Sequence, residues 1–279
     1  MYSRPSSSAA LHGARRLSLA AGAVLLLLAG CASGKLDDDR LPDQPPEELY
    51  RQGQQKLDQG NYEAAAKAFE EVERQHPYSQ WATRGELMAA FAYYQANKYD
   101  EAIGAAQRYI DLHPGSKDVP YAHYLMGLCY YEQISDVGRD QEMTQKALDT
   151  FSELVRRYPE SQYAADAKLK IDLVRDHLAG KEMEVGRYYE RRKLWLAAIN
   201  RFQNVVQNYQ TTTHVPEALH RLTESYLALG MKQQAQEAAA VLGYNFPGSE
   251  WYQRSYALLK GENLEPGRSG SGSWLSRLF

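Results

Sequence analysis

Apolar positions fall into two unlike patterns along this chain. From Leu17 to Leu28 they form one run of about a dozen residues, preceded by Arg4, Arg15 and Arg16 and no acidic residue, and followed by small Ala29 and Gly30. Positive, then apolar, then small is the order of a secretory signal, and the run falls well short of the ~20 residues a spanning helix needs. Further on, the apolar positions are punctuated by a recurring aromatic or histidine, then proline, then serine two places on. The copies are His76-Pro77-Tyr78-Ser79, His113-Pro114-Gly115-Ser116, Tyr158-Pro159-Glu160-Ser161 and Phe246-Pro247-Gly248-Ser249, with Tyr209-Gln210-Thr211-Thr212 a degenerate copy lacking proline. Proline cannot continue a helix and serine caps one well, so each copy predicts one helix ending and the next beginning.

Counted back from these stops, residue types recur at fixed offsets. Ala65, Ala102, Ala147, Ala198 and Ala235 share one position; Tyr62, Tyr99, Trp195 and Lys232 share a second; Phe69, Ala106, Phe151, Phe202 and Ala239 share a third. The preceding helices carry Gly53, Ala90, Gly127 and Gly186, small residues that let a paired helix approach while an aromatic fills the space beside them. Gln59-Gly60-Asn61, Ala96-Asn97-Lys98 and Leu229-Gly230-Met231 mark turns inside the pairs. The pattern resembles the tetratricopeptide repeat from about residue 47 to 260. The resemblance implies an all-α solenoid of about five helix pairs, with a flexible N-terminal tether and C-terminal tail. The stops lie 37, 45, 51 and 37 residues apart, longer than the repeat's usual ~34. The second interval holds a loop-like insertion over 135–141, and the third predicts one long helix from about Gln162 to Arg192. Its interior Gly180 costs about 1 kcal/mol in helix propensity, which calls for close packing, a bend or a break there.

These readings divide the chain into a signal peptide (1–30), a tether (31–46), N-terminal repeats one to three (47–160), C-terminal repeats four and five (161–261) and a tail (262–279). The tether holds Asp37-Asp38-Asp39 and Pro42, Pro45 and Pro46 and cannot bury apolar surface; the tail is Gly/Ser-rich and ends in Trp274-Leu275-Ser276-Arg277-Leu278-Phe279. Removal of residues 1–30 leaves 29 basic against 35 acidic residues, formally −6, which disfavours nucleic acid as a partner. Cys31 and Cys129 are the two cysteines, and Cys129, among Leu128, Tyr130 and Tyr131, reads as a small core residue.

Candidate chemistry is sparse. His76 and His113 occupy equivalent stop positions and read as structural, His220 and Glu224 as an exposed i,i+4 pair, and no metal set, phosphate loop or nucleophile elbow is present. No catalytic residue, metal or cofactor is therefore expected. In the repeat's frame the first helix of each pair lines an inner surface. It places Tyr50, Gln54, Leu57, Leu87, Phe91, Tyr94, Tyr124, Leu128 and Tyr131 there, with Tyr121 beside them. Tyr50, Phe91, Tyr94, Tyr121, Tyr124 and Tyr131 are the candidate groove for an extended peptide with aromatic side chains of its own. Arg187, Arg191 and Arg192 share one helix face, with Lys193 beside them and Arg201 on the partner helix, as a candidate surface for carboxylates of a protein partner.

Leu28-Ala29-Gly30-Cys31 resembles the bacterial lipobox. That resemblance implies cleavage before Cys31, diacylglyceryl on its sulfur and a further acyl chain on its amine; Ala32 in place of Asp favours the outer membrane. Two chains already anchor a protein stably. Together with Pro45-Pro46-Glu47-Glu48-Leu49-Tyr50, Gln55-Lys56-Leu57-Asp58-Gln59-Gly60-Asn61-Tyr62, Ala90-Phe91-Ala92-Tyr93-Tyr94 and Val185-Gly186-Arg187-Tyr188-Tyr189, the chain resembles the BamD family, the D lipoproteins of the β-barrel assembly machinery. The resemblance implies a periplasm-facing scaffold on the outer membrane. Its C-terminal half would contact the periplasmic domain of the barrel insertase, its N-terminal half would receive unfolded outer-membrane proteins, and other assembly lipoproteins would be partners. A pilotin-type lipoprotein for secretin assembly shares the anchor and the repeats but favours regular repeat lengths. A cell-wall enzyme or accessory would need paired carboxylates, which the sequence does not offer at suggestive spacing.

Overall fold

The computed structural model describes residues 43–266; the signal segment, Cys31 and the end of the tail lie outside them. Residues 44–266 belong to one unit, built of eleven helices with no strand among the described residues. They are α1 (Pro46–Asp58), α2 (Tyr62–Gln75), α3 (Gln80–Gln95), α4 (Tyr99–Leu112), α5 (Val119–Glu132), α6 (Glu142–Arg157), α7 (Ala164–Arg191), α8 (Trp195–Asn208), α9 (Val215–Ala228), α10 (Lys232–Asn245) and α11 (Glu250–Gly261). Each helix from α1 to α10 packs on the next, α1 also touches α3, and α3 touches α5, while α11 closes the stack against α9 and α10. The architecture is five tetratricopeptide-type pairs and one unpaired terminal helix.

All five stops share one conformation. His76, His113, Tyr158, Tyr209 and Phe246 lie at φ −127 to −136° and ψ 44 to 59°. In each, the amide three residues on donates to that residue's carbonyl, at 2.9–3.1 Å, including the copy without proline. Ser79 and Ser249 cap α3 and α11 by accepting from Ala82 N and Tyr252 N. Ser116 and Ser161 do not cap, because α5 and α7 begin three residues beyond them.

Turns within four of the five pairs are equally uniform, the third pair being joined instead by the 135–141 insertion. Gly60, Asn97, Lys193 and Gly230 have φ of 74°, 58°, 60° and 74°. Each takes part in the reciprocal amide-to-carbonyl pair of a Schellman motif, as in Gly60 N to Leu57 O (3.0 Å) and Asn61 N to Lys56 O (2.9 Å). Asn263 (φ 57°) closes α11 in the same way, so α11 ends like the first helix of a sixth pair. Leu264 packs back on the core and Glu265 O accepts from Gln236, which holds the first residues of the 262–279 segment to α10.

Small and large residues pair as the offsets predict. A Cβ at Gly53, Gly127 or Gly186 would lie 2.6, 2.4 or 2.4 Å from the ring of Phe69, Phe151 or Phe202, all fully buried. In the second pair the same positions are Ala90 and Ala106, also buried, so a larger floor goes with a smaller partner. Helix α7 runs unbroken through Gly180. The glycine answers to packing, since a Cβ there would meet His214 Nε2 at 3.2 Å and Val137 Cγ1 at 3.8 Å.

Candidate functional site

Helices α1, α3 and α5, each the first of its pair, together with α4 and the α4–α5 turn, line a cavity of about 490 Å³. Tyr50 from α1, Tyr109 from α4 and Tyr121 from α5 supply its aromatic lining, Leu87 and Met88 its aliphatic lining, and Arg84, Asp118 and Ser116 polar groups. Tyr50 is fixed by Phe69 and Trp81, with ring centres at 5.3 and 5.0 Å, and Arg84 lies over the Trp81 ring. Burial pushes the Tyr121 hydroxyl up to about 12, so it stays a neutral donor.

The six predicted groove residues spread over three apolar clusters, two of which meet at Tyr163, whose ring centre lies 5.3 Å from those of both Tyr121 and Tyr124. Tyr50 and Tyr121 share the cavity, and Phe91 and Tyr94 pack against the same apolar cluster as Tyr121. Tyr124 and Tyr131 belong to the next cluster, against Phe151. Tyr124 stacks on Tyr163 at 5.3 Å and donates to Asp166 at 2.6 Å, tying α5 to the start of α7. Arg84, Asp118 and Tyr109 are lining residues that the periodicity did not single out; the one local cue was Trp81 a turn before Arg84.

The four arginines also part company. Arg187 donates to both oxygens of Glu217 at 3.1 Å, and Arg201 to both of Glu182 at 3.3 and 3.2 Å. Two of the four candidate arginines thus already engage carboxylates of this chain's own helices. Arg192 lies 4.5 Å over the Tyr188 ring and Arg191 is exposed, both at the end of α7 beside exposed Leu194 and Leu196. Arg201 borders a separate cavity of about 440 Å³ with Glu182, Tyr189 and Asn204.

Between α7, α9 and α11 runs a network the sequence did not reveal. Arg221 pairs with Glu224 at 2.9 Å, Glu190 at 3.3 Å and Glu217 at 3.4 Å. Burial raises the Glu190 carboxyl to about 7, against the pull of Arg221 and with the repulsion of Glu224 and Glu217. His220 is 3% exposed rather than on the surface: Nδ1 lies 2.9 Å from Ser255 Oγ and Nε2 3.5 Å from Glu224. A Ser–His–Glu order invites comparison with a nucleophilic triad, but Ser255 is wholly buried between α9 and α11, where a substrate cannot reach it. His113 bonds buried Glu86 at 2.9 Å and His76 the Gln44 carbonyl at 2.7 Å, so both stop histidines pin their turns. Burial pushes the Cys129 thiol up to about 12, as befits a core residue.

Among the described residues no group of three or more His, Cys, Asp or Glu could hold a metal ion, and no helix is long and apolar enough to cross a membrane. Stacked helix pairs whose first helices share a cavity define a tetratricopeptide-repeat protein. The family profile of outer membrane lipoproteins called YfiO matches residues 42–242. The chain is 50% identical to outer membrane protein assembly factor BamD of Caulobacter vibrioides, over 91% of this chain and 84% of that one. It is 46% identical to the BamD of Rickettsia prowazekii, over 84% and 93%. A thermophilic tetratricopeptide-repeat protein of Thermus thermophilus aligns with 77% of this chain and all of its own at TM-score 0.37 and 19% identity. The chain belongs to the BamD family of outer membrane lipoproteins.

Proposed function

We propose that this chain is a lipid-anchored, non-catalytic scaffold of outer-membrane β-barrel assembly. Acyl chains on Cys31 hold it to the periplasmic face of the outer membrane, and its repeats bind other polypeptides. The cavity between α1, α3 and α5 receives an extended, aromatic-bearing segment of an unfolded barrel protein. Tyr50 and Tyr121 flank the incoming ring, while Arg84 offers a guanidinium to a carbonyl or terminal carboxylate. The end of α7 and α8 holds the periplasmic domain of the insertase through Arg192 and Arg201. The observation that carries this reading is a cavity built by three successive first helices and lined by aromatic rings, in a chain whose relatives are named as assembly factors.

The test is affinity purification from detergent-solubilised membranes. The parent chain and Tyr121→Ala should both bring down a large β-barrel protein with periplasmic repeats, and the double variant Arg192→Glu, Arg201→Glu should lose it. Undiminished recovery by the double variant would remove the insertase from that face; recovery of a secretin instead would replace the whole reading. Tyr121 is the groove residue to change, since Tyr124 also ties α5 to α7 through Asp166.

A further inference from the structure

Helix α7 leaves two leucines uncovered, Leu169 and Leu173, one turn apart and 65% and 59% exposed. One turn further stands His177, and there the same face opens into a cavity of about 430 Å³. The 135–141 insertion roofs it with Asp136, Val137 and Gly138, and His214 from the α8–α9 turn forms the far wall. Lys181 pins the roof by donating to the Gly138 carbonyl at 3.1 Å, and the lack of a side chain at Gly180 lets His214 and Val137 come this close.

The charges are unbalanced. Asp136, Asp176 and Glu184 line the cavity against one cation, Arg187, which is already engaged by Glu217. Lys181 lies 3.8 Å from Glu184, and Asp176 accepts from Thr213 and lies 3.7 Å from His214. Counting Lys181 and Glu217 with the lining sets four carboxylates against one lysine and one arginine. Nε2 of His177 is buried without a hydrogen bond, so the polar wall is also incompletely satisfied.

We propose that this cavity receives a lysine or arginine side chain of an extended partner polypeptide, whose preceding apolar residues lie on Leu173 and Leu169. Residues four apart on a helix are separated by about 6 Å along its axis, and alternate side chains of an extended chain by about 6.6 Å, so the two rows keep step. The stem of the basic residue packs on Leu173 and Val137 while its head reaches Glu184 and Asp136. None of the groove helices α1, α3 or α5 contributes to this site, so it stands or falls apart from the peptide groove.

The test is fluorescence anisotropy on the full chain with a labelled, capped peptide in which two leucines alternate with serines ahead of one lysine. The control peptide carries glutamate in place of that lysine. The lysine peptide should saturate the chain and bind about tenfold more tightly than the control, with the gap narrowing at high salt. Leu173→Ser and Glu184→Lys, both at exposed positions, should each weaken the lysine peptide without shifting the melting temperature. Equal affinity for the two peptides, indifference to both substitutions, or an absence of saturable binding would overturn the proposal.

Discussion

One oxygen of Glu190 is bonded to nothing and buried, and the other lies 3.3 Å from a guanidinium that two more glutamates also contact. Its carboxyl is raised from the ordinary 4.5 to about 7 mainly by burial. A group that binds its proton more tightly when folded than when unfolded contributes stability below its unfolded pKa, and that contribution is lost as pH rises through the folded one. Glu190→Gln should therefore melt higher than the parent at about pH 8 and lose that advantage by about pH 4.5. Thermal melts at both values check this. The small-residue positions allow an equally local prediction. At Gly186 a Cβ would sit 2.4 Å from a Phe202 ring that is fully buried and has nowhere to go. Gly186→Ala gains up to about 1 kcal/mol of helix propensity but overpacks the pair at a cost of roughly 1–3 kcal/mol, so denaturant titration should show a net loss.

Elements are set by their ends, and here one turn breaks a local rule. Lys193 joins α7 to α8 at φ 60°, a conformation that disfavours side-chain-bearing residues and that glycine supplies at two equivalent turns. Lys193→Gly is expected to stabilise the chain by about 1 kcal/mol, measured by denaturant titration. The turns at Gly60, Asn97 and Gly230 were legible because glycine and asparagine favour that region; lysine does not, so the sequence marked only the long helix before it. The stops were legible for the complementary reason. Four carry proline, and Tyr209 was legible as a degenerate copy without it, yet it adopts the same backbone. The periodic pattern placed Tyr50, Tyr121, Tyr124 and Tyr131 on first helices, but it could not show that Tyr124 donates to Asp166 of α7 or that Tyr131 packs on Phe151 of α6. Nor could it foresee that Arg187 is paired with Glu217 and Arg201 with Glu182, because those partners are 30 and 19 residues away and leave no local trace. Arg84 and Asp118 look like any solvated helix residues until three helices are brought together.

At the scale of the whole molecule, the pairs stack so that successive first helices cooperate, and both the aromatic cavity and the loop-roofed one lie where several elements meet. Such sites suit extended chains that contact several repeats at once. The two halves should then be separable by substitution: a groove variant loses substrate and keeps the insertase, and an arginine variant does the reverse. The most direct measurement is the affinity of the purified chain for a labelled peptide from the final strand of an outer-membrane barrel. The account predicts that Tyr121→Ala weakens binding by about tenfold, the loss of roughly one well-packed ring, while Arg201→Glu leaves it unchanged. Peptide affinity that survives Tyr121→Ala and falls with Arg201→Glu would contradict it.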